Sequence, residues 1–299
     1  MTHGALSSDR ENSCPPDWPL ARQGDSFFCS APDWAPGFLA LGYGLEGDGP
    51  REQHESPGRR PPETLNHGCG TLLVRRYTHG GLLRGLTGER FKNPDRLLAE
   101  VQLTRELARR GILVPEVVSM RALCRGPRSW QLELGTRMVE GARDLRSFLA
   151  DRSRGKLSEV VWRRLLTRAG QALAGAHQAG LDHVDLQPAN LLACQEELKA
   201  GEAARIWILD LDRCRLDQGD LDRVATRNLA RLMRWIASRY SSDSSISDGD
   251  LMRFMRAYEP DRRRRKRLIA SVVQILHREG PFHRAGRVLE RWLGLSRQG

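Results

Sequence analysis

No apolar run in this chain of 299 residues approaches the ~20 needed to cross a bilayer. Met1 to Arg22 carry Ser, Asp, Glu and Pro but no apolar core segment, so they do not read as a secretory leader, and the protein is expected to stay in the cytoplasm. Aromatic residues make up only 6%, with no stripe of aromatics interleaved with basic residues. A base-stacking nucleic-acid module is therefore not expected. The six cysteines (Cys14, Cys29, Cys69, Cys124, Cys194, Cys214) form no CxxC pair and no Cys/His cluster. That argues against a zinc site and against a disulfide framework, and the thiols are expected to be reduced. There is no internal repeat.

What is present fits a soluble globular protein: 39% hydrophobic and 28% charged residues, at a length that supports one large domain or two lobes. The formal net charge of +11 favours an anionic partner. A phosphorylated substrate, an acidic membrane surface and nucleic acid all satisfy it, and charge alone does not choose among them.

Residues 1–25 read as a polar, mobile arm. Residues 46–68, rich in Gly, Pro and charge, read as a long loop, and Phe38-Leu39-Ala40-Leu41 as a short strand before it. Thr71 to Tyr77 reads as a strand between glycines. Pro94 to Arg110 reads as a helix with Leu97, Val101, Leu103 and Leu107 on its core face and Gly111 as its stop. Val114 to Met120, Trp130 to Leu134 and Arg137 to Val139 are further strand candidates, and Asp144 begins a helical region. Ser158 is placed to cap a helix running to about Ala179, with Gly180 ending it. From about Leu221 the pattern is all helical. Strands thus dominate the first half and helices the second. The expected fold is α+β and bilobal, protein-kinase-like, with a β-rich N-lobe over 26–139, a helical C-lobe over 140–299, and a nucleotide held in the cleft between them.

The densest chemistry lies in His183-Val184-Asp185-Leu186-Gln187-Pro188-Ala189-Asn190 and in Trp207-Ile208-Leu209-Asp210-Leu211-Asp212. Phosphoryl transfer asks a protein for in-line placement of a hydroxyl and for charge stabilisation at phosphate oxygens. Asp185 is the candidate catalytic carboxylate, accepting the acceptor's proton. Asn190 and Asp210 are the candidate Mg²⁺ ligands, hard oxygen donors few enough to leave room for ATP phosphates and water. Asp212 reads equally as a metal ligand or as a partner of Arg213 or Arg215, and His183 as a brace for the backbone. Arg75 at the end of a strand and Glu100 on the next helix are the candidate phosphate-binding cation and its anchor, with Arg76 expected on the opposite face of the strand. Gly42-Tyr43-Gly44-Leu45-Glu46-Gly47 matches GxGxxG, a phosphate-covering loop or a plain glycine-rich turn, and makes Gly42 and Gly44 candidate cofactor contacts. Arg262 to Arg267, before an amphipathic apolar pattern, reads as a solvated helix start, a contact for anionic lipid headgroups, or a nucleic-acid contact.

These residues resemble the bacterial lipopolysaccharide kinase family, above all its 3-deoxy-D-manno-octulosonic acid (Kdo) kinases. The resemblance is carried by Leu73 to Leu82, Arg96 to Glu100, Gly111 to Pro115, Gly141 to Leu145, His177 to Leu192, Trp207 to Arg213 and Asn228 to Leu232, in collinear order. It implies a protein-kinase-like fold, ATP with Mg²⁺, and a Kdo or heptose hydroxyl of the lipopolysaccharide inner core as acceptor. It also implies an anionic glycolipid partner and a peripheral location on the cytoplasmic face of the inner membrane. Under the resemblance Arg75 takes the place of the usual strand lysine, Asp185 is the base, Asn190 and Asp210 the metal ligands, and Glu100 the helix partner. Gln187-Pro188-Ala189 departs from the Asn-Ala-His expected before the Asn, and Leu211 stands for the usual Phe. Two other readings share these residues: a kinase-like phosphotransferase with a small-molecule or protein acceptor, and a non-catalytic membrane-associated pseudokinase.

Overall fold

The computed structural model describes residues 14–54, 62–78, 90–201, 204–240 and 246–278. The Thr78-His79-Gly80-Gly81-Leu82 segment falls outside them beyond Thr78, as does the centre of the 46–68 stretch. The chain divides into two compact units, one from residues up to 106 together with 115–139, the other from 107–114 together with 140 onward.

The first unit is a seven-stranded antiparallel sheet. Its strands are β1 (Leu20–Gln23), β2 (Ser26–Ser30), β3 (Glu52–Gln53), β4 (Glu63–His67), β5 (Gly70–Arg76), β6 (Val117–Cys124) and β7 (Trp130–Arg137), in the order β1-β2-β6-β7-β5-β4-β3. Between them lie helix α1 (Ala35–Ala40) and helix α2 (Asp95–Arg109). The central strand β6 is buried almost throughout, because both faces of the sheet are covered. Side-chain alternation divides the core. On one face Phe27, Cys29, Met120, Ala122, Leu132, Leu134 and Tyr77 pack with Leu97, Leu98 and Val101 of α2. On the other, Phe28, Leu72, Val74 and Val118 pack with Trp34, Phe38, Tyr43 and Leu65.

Four expectations need correction here. Leu20–Gln23 was expected in a mobile arm but pairs with β2 from Leu20↔Cys29 to Gln23↔Ser26. Cys14 and Cys29 form a disulfide, where reduced thiols were expected. Their proximity is a product of this strand pairing and has no signature in cysteine spacing. Phe38-Leu39-Ala40-Leu41, expected as a strand, lies in and just beyond α1. Pro36 starts that helix with a preset φ, and Phe38 turns inward beside Trp34. The stretch 46–68, expected as a loop, contributes β3 and β4 to the sheet.

The second unit is mainly helical: α3 (Leu145–Ser153), α4 (Glu159–Gln178), α5 (Gln195–Ala200), α6 (Leu221–Tyr240), α7 (Asp248–Tyr258) and α8 (Arg262–Arg278). Two small sheets sit among them. One has the order β11 (Ile206–Ile208), β10 (Leu191–Cys194), β8 (Ala142–Asp144), and the other pairs β12 (Arg215–Leu216) with β9 (Leu181–Asp182). Helix α4 is the central element. Ser158 caps it by accepting from Val161 N–H at 3.4 Å, and Val161, Leu165, Ala169, Leu173 and Ala176 line its buried face. Gly180, at φ +88°, ends it, a conformation that L side chains disfavour. The Ser247–Asp250 capping box starts α7.

Helix α7 crosses α4 at Gly170. A Cβ there would stand 2.5 Å from the Phe254 carbonyl oxygen and 3.1 Å from the Ala257 Cβ. The Gly170→Ala variant gains about 1 kcal/mol of helix propensity. The carbonyl is backbone and has nowhere to go, so the clash wins. We expect a net loss of about 1–3 kcal/mol, read as a lower urea midpoint at unchanged m-value.

Candidate active site

The loop His183–Asn190 joins β9 to β10, and side chains from α6 anchor the strand that feeds it. Asp182 is buried at the end of β9 and accepts from Arg227 at 2.8 Å and Arg231 at 3.3 Å, with Arg215 at 3.2 Å. Arg231 also donates to the His183 carbonyl at 3.1 Å and to Asn228 Oδ1 at 2.8 Å. Asn228, wholly buried, donates through Nδ2 to the Leu181 carbonyl at 3.1 Å. A buried carboxylate with several charge-assisted partners is a stiff mount. Sequence reasoning assigned no role to Asp182 or Arg231, since their pairing joins segments some fifty residues apart in the chain.

His183 ties the loop to the next strand. Its Nε2 lies 2.8 Å from the Leu209 carbonyl, which can only accept, so the proton sits on Nε2. Nδ1 is then the acceptor for the Asp185 backbone N–H at 3.3 Å. Burial holds the imidazole below its usual range. The Leu209 hydrogen bond and the carboxylates of Asp210 and Asp185 push the other way without prevailing. The ring is therefore neutral at pH 7, and both carboxylates act on it. His177, on α4, is a separate packing residue: it meets the Tyr258 hydroxyl at 2.7 Å, and burial, with His183 adding to it, lowers it to about 3.

The remaining contacts are mostly through backbone. Asn190 donates from Nδ2 to the Asp185 carbonyl at 2.8 Å, and its own carbonyl accepts from Leu209 N–H at 2.8 Å. Asp210 follows β11 at φ +55°, the left-handed region that is uncommon outside glycine. Asp185, Asn190 and Asp210 are thus gathered on two adjoining backbone segments around His183. Asp185 and Asp210 are exposed, and Asn190 is buried. With the Asn190 amide nitrogen committed to Asp185, its oxygen is the end left to face a cation. One amide oxygen and one carboxylate make a donor set that suits Mg²⁺, which keeps most of its shell as phosphate and water. Among the described residues no group of three or more His, Cys, Asp or Glu could hold a metal alone. Asp212 lies half-buried on the turn beyond Asp210.

In the first unit the pleat of β5 sends Arg75 and Arg76 to opposite faces. Arg75 pairs with Glu100 of α2, which is buried, and the Tyr77 hydroxyl donates to the other Glu100 oxygen. The Arg75 guanidinium lies 4.7 Å from the centre of the Tyr77 ring. Tyr77 therefore holds Arg75 both directly and through its shared acceptor. Its position two residues on from Arg75 was the available signal. On the other face, Arg76 Nε donates to Glu133 at 2.7 Å, Arg121 donates to it at 2.8 Å and Arg51 at 3.0 Å. Burial alone would raise the Glu133 carboxyl. Hydrogen bonds and charge from Arg121 and Arg51 outweigh burial and hold it below the usual carboxylate range.

The glycine-rich segment belongs to this second face. The carbonyls of Gly44 and Gly47 both accept from Arg121, at 2.8 and 2.9 Å, and Gly44 N–H donates to the Gly47 carbonyl at 3.0 Å. Tyr43 is buried between them, its hydroxyl raised to about 12 by burial first and by Glu133 second. Gly42 and Gly44 sit in a tight turn that caps the arginine network rather than in a hairpin between paired strands.

A seven-stranded antiparallel unit and a mainly helical unit are the two parts of a kinase-like fold. A solved structure of WaaP in complex with acyl carrier protein has the same fold, with a TM-score of 0.55, 18% identity, and coverage of 84% of this chain and 92% of that one. Residues 51–258 match the lipopolysaccharide kinase (Kdo/WaaP) family. The chain is 31% identical over 201 residues to a 3-deoxy-D-manno-octulosonic acid kinase of Xylella fastidiosa strain 9a5c, covering 64% of this chain and 72% of the relative. It is 29% identical over 262 residues to one of Xanthomonas euvesicatoria pv. vesicatoria, covering 86% and 90%. The match to the Vibrio parahaemolyticus enzyme of the same name, 31% identical over 166 residues, spans 62% of that relative's length. This chain belongs to the lipopolysaccharide kinase (Kdo/WaaP) family.

The Glu100 cluster gives a stability test. Glu100→Ala leaves Arg75 and the Tyr77 hydroxyl without their shared acceptor and should cost about 1–3 kcal/mol, and Tyr77→Phe about 1 kcal/mol. Because both remove parts of one network, the double variant should cost less than the two losses added together. Additive urea midpoints would show that the two contacts are independent.

Proposed function

We propose that this chain transfers the γ-phosphoryl group of ATP to a hydroxyl of 3-deoxy-D-manno-octulosonic acid in the lipopolysaccharide inner core, at the cytoplasmic face of the inner membrane. The observation that carries this reading is the gathering of Asp185, Asn190 and Asp210 around one neutral, buried histidine. Asp185 receives the acceptor proton as the new P–O bond forms, and ADP leaves with the electrons of the broken bond. Asn190 and Asp210 would hold Mg²⁺, which would neutralise charge on the phosphate oxygens. Arg75, steadied by Glu100 and Tyr77, is assigned to the phosphates of ATP. The catalytic carboxylate and the full donor set argue against a non-catalytic role. The three curated relatives cited above, each a 3-deoxy-D-manno-octulosonic acid kinase, favour a sugar acceptor over a protein one.

Purified protein incubated with ATP, Mg²⁺ and a Kdo-bearing lipid A precursor should yield a product one phosphate heavier by mass spectrometry. Asp185→Ala should lower kcat by at least ~100-fold with the melting temperature and ATP binding unchanged. A variant that turns over at the parent rate would exclude Asp185 as the base. Phosphate found on a protein instead of the sugar would move the acceptor to another class.

Among the described residues no helix is long and apolar enough to cross a membrane. Membrane contact, if the acceptor is to be reached, is assigned to the basic start of α8. Arg262 to Arg267 lie largely exposed, whereas Ile269, Val272, Val273 and Leu276 are buried. Each basic residue near an anionic surface adds about 1 kcal/mol. Binding to vesicles containing phosphatidylglycerol should therefore weaken as salt rises from 50 to 500 mM, roughly the range over which the Debye length falls well below 10 Å. Binding that ignores salt would leave the run as a solvated helix start.

A further inference from the structure

The loop carries one side-chain contact that the proposed reading has not used. Gln187 Nε2 donates to Asp185 Oδ2 at 2.7 Å. We propose that Gln187 is the positioning residue for the catalytic carboxylate, holding Oδ2 so that Oδ1 is presented to the acceptor hydroxyl. The inference rests on Asp185 being the base.

Three features make this contact a built one. Leu186, between the two, is buried and ties the loop down, while Asp185 is exposed and Gln187 half-buried. Pro188 then restricts Gln187 to the extended region, where it lies at φ −149° and ψ 161°. Finally, the Gln187 carbonyl accepts from the Asn190 N–H at 2.9 Å, closing the short 3₁₀ turn Pro188–Asn190. The residue's backbone is thus set from both sides, and its amide is aimed by that backbone.

A carboxylate on a loop rotates about two side-chain bonds. One oxygen bonded to a fixed donor removes most of that freedom, and the other oxygen keeps a lone pair toward the substrate. In the transfer step the acceptor O–H proton passes to Oδ1 while the acceptor oxygen bonds to phosphorus and the bond to ADP breaks. The Gln187 N–H keeps its own proton throughout, so Gln187 acts on geometry and is not itself a proton carrier. The amide is also neutral, and it restrains the carboxylate without neutralising it.

The test separates donation from bulk. Gln187→Met matches the length of the side chain and lacks the donor. Gln187→Lys returns an N–H donor on a chain long enough to reach. With ATP, Mg²⁺ and the Kdo-bearing lipid A precursor, Gln187→Met should lower kcat about 10- to 100-fold while the KM for ATP and the melting temperature stay at the parent values. Gln187→Lys should recover kcat to within a few-fold of the parent. Full activity in Gln187→Met overturns the inference. So does a loss that Gln187→Lys fails to recover, since returning the donor would then not restore the rate. Asp185→Ala, run alongside, tells the two claims apart. If it stays active, the base assignment falls and this inference with it. If it is inactive while Gln187→Met is fully active, only the positioning role is lost.

Discussion

The neutral imidazole of His183 is the constraint on which the helical unit's candidate site depends. It has two nitrogens and two jobs: Nε2–H holds the Leu209 carbonyl, and Nδ1 receives the Asp185 N–H. A protonated ring would carry two donors and lose the second contact. Burial enforces the neutral form against two nearby carboxylates that favour the charged one. The balance could have gone the other way on a surface loop. Here the α6 side chains Asn228 and Arg231, the latter paired with Asp182, fix the preceding strand, and the ring itself is buried. The left-handed backbone at Asp210 is then a local cost of order 1–3 kcal/mol, sustained by the Leu209 and Asn190 hydrogen bonds on its N-terminal side.

The sheet unit uses charge differently. Two arginines adjacent in sequence serve opposite faces of one strand. Arg76 joins Arg51, Arg121, Glu133, Asp48 and Glu63 in a network with balanced charge, in which Glu133 and Arg121 are almost wholly buried. Buried ion pairs contribute little net stability once desolvation is counted, but removing one member leaves an expensive orphan. This network is better understood as fixing the register of the 42–53 segment over the sheet than as a source of stability. The close approach explains one glycine there: a Cβ on Gly47 would overlap the Gly42 carbonyl oxygen.

Local signals carried much of the fold. Ser158 and Gly180 bracket α4, apolar spacing from Leu97 marks α2, and the glycines around Thr71 to Tyr77 mark β5. What escaped depended on distant partners. Helix α1 is six residues, too short for a period to emerge, and its inward residues are chosen by Trp34 and Tyr43. Strands β3 and β4 hide in a Gly/Pro-rich stretch because their pairing with each other and with β5 outweighs composition. The Cys14–Cys29 link follows from the β1–β2 pairing and could not be read from spacing. In the site, the order Asp185, Asn190, Asp210 was visible because the family resemblance is local. The Arg231, Asn228 and Asp182 mount was not, because side chains forty-five to fifty residues apart in sequence carry no pattern of their own.

Arginine at position 75 follows from its surroundings. A lysine ammonium is a compact point charge, strongly hydrated, and could meet Glu100 alone. The guanidinium is planar. It meets Glu100 at one edge and lays its face over the Tyr77 ring, while that tyrosine's hydroxyl takes the second Glu100 oxygen. Arg75, Tyr77 and Glu100 are thus linked pairwise, and Arg96 also lies over the Tyr77 ring, with Glu100 buried and the Arg75 side chain still 36% exposed. Substituting lysine would keep the charge but give up the planar stacking, and leave Tyr77 packed against a flexible methylene stem. The Arg-x-Tyr spacing is therefore a single physical unit: the tyrosine lies two residues on because only that position in a strand returns to the same face.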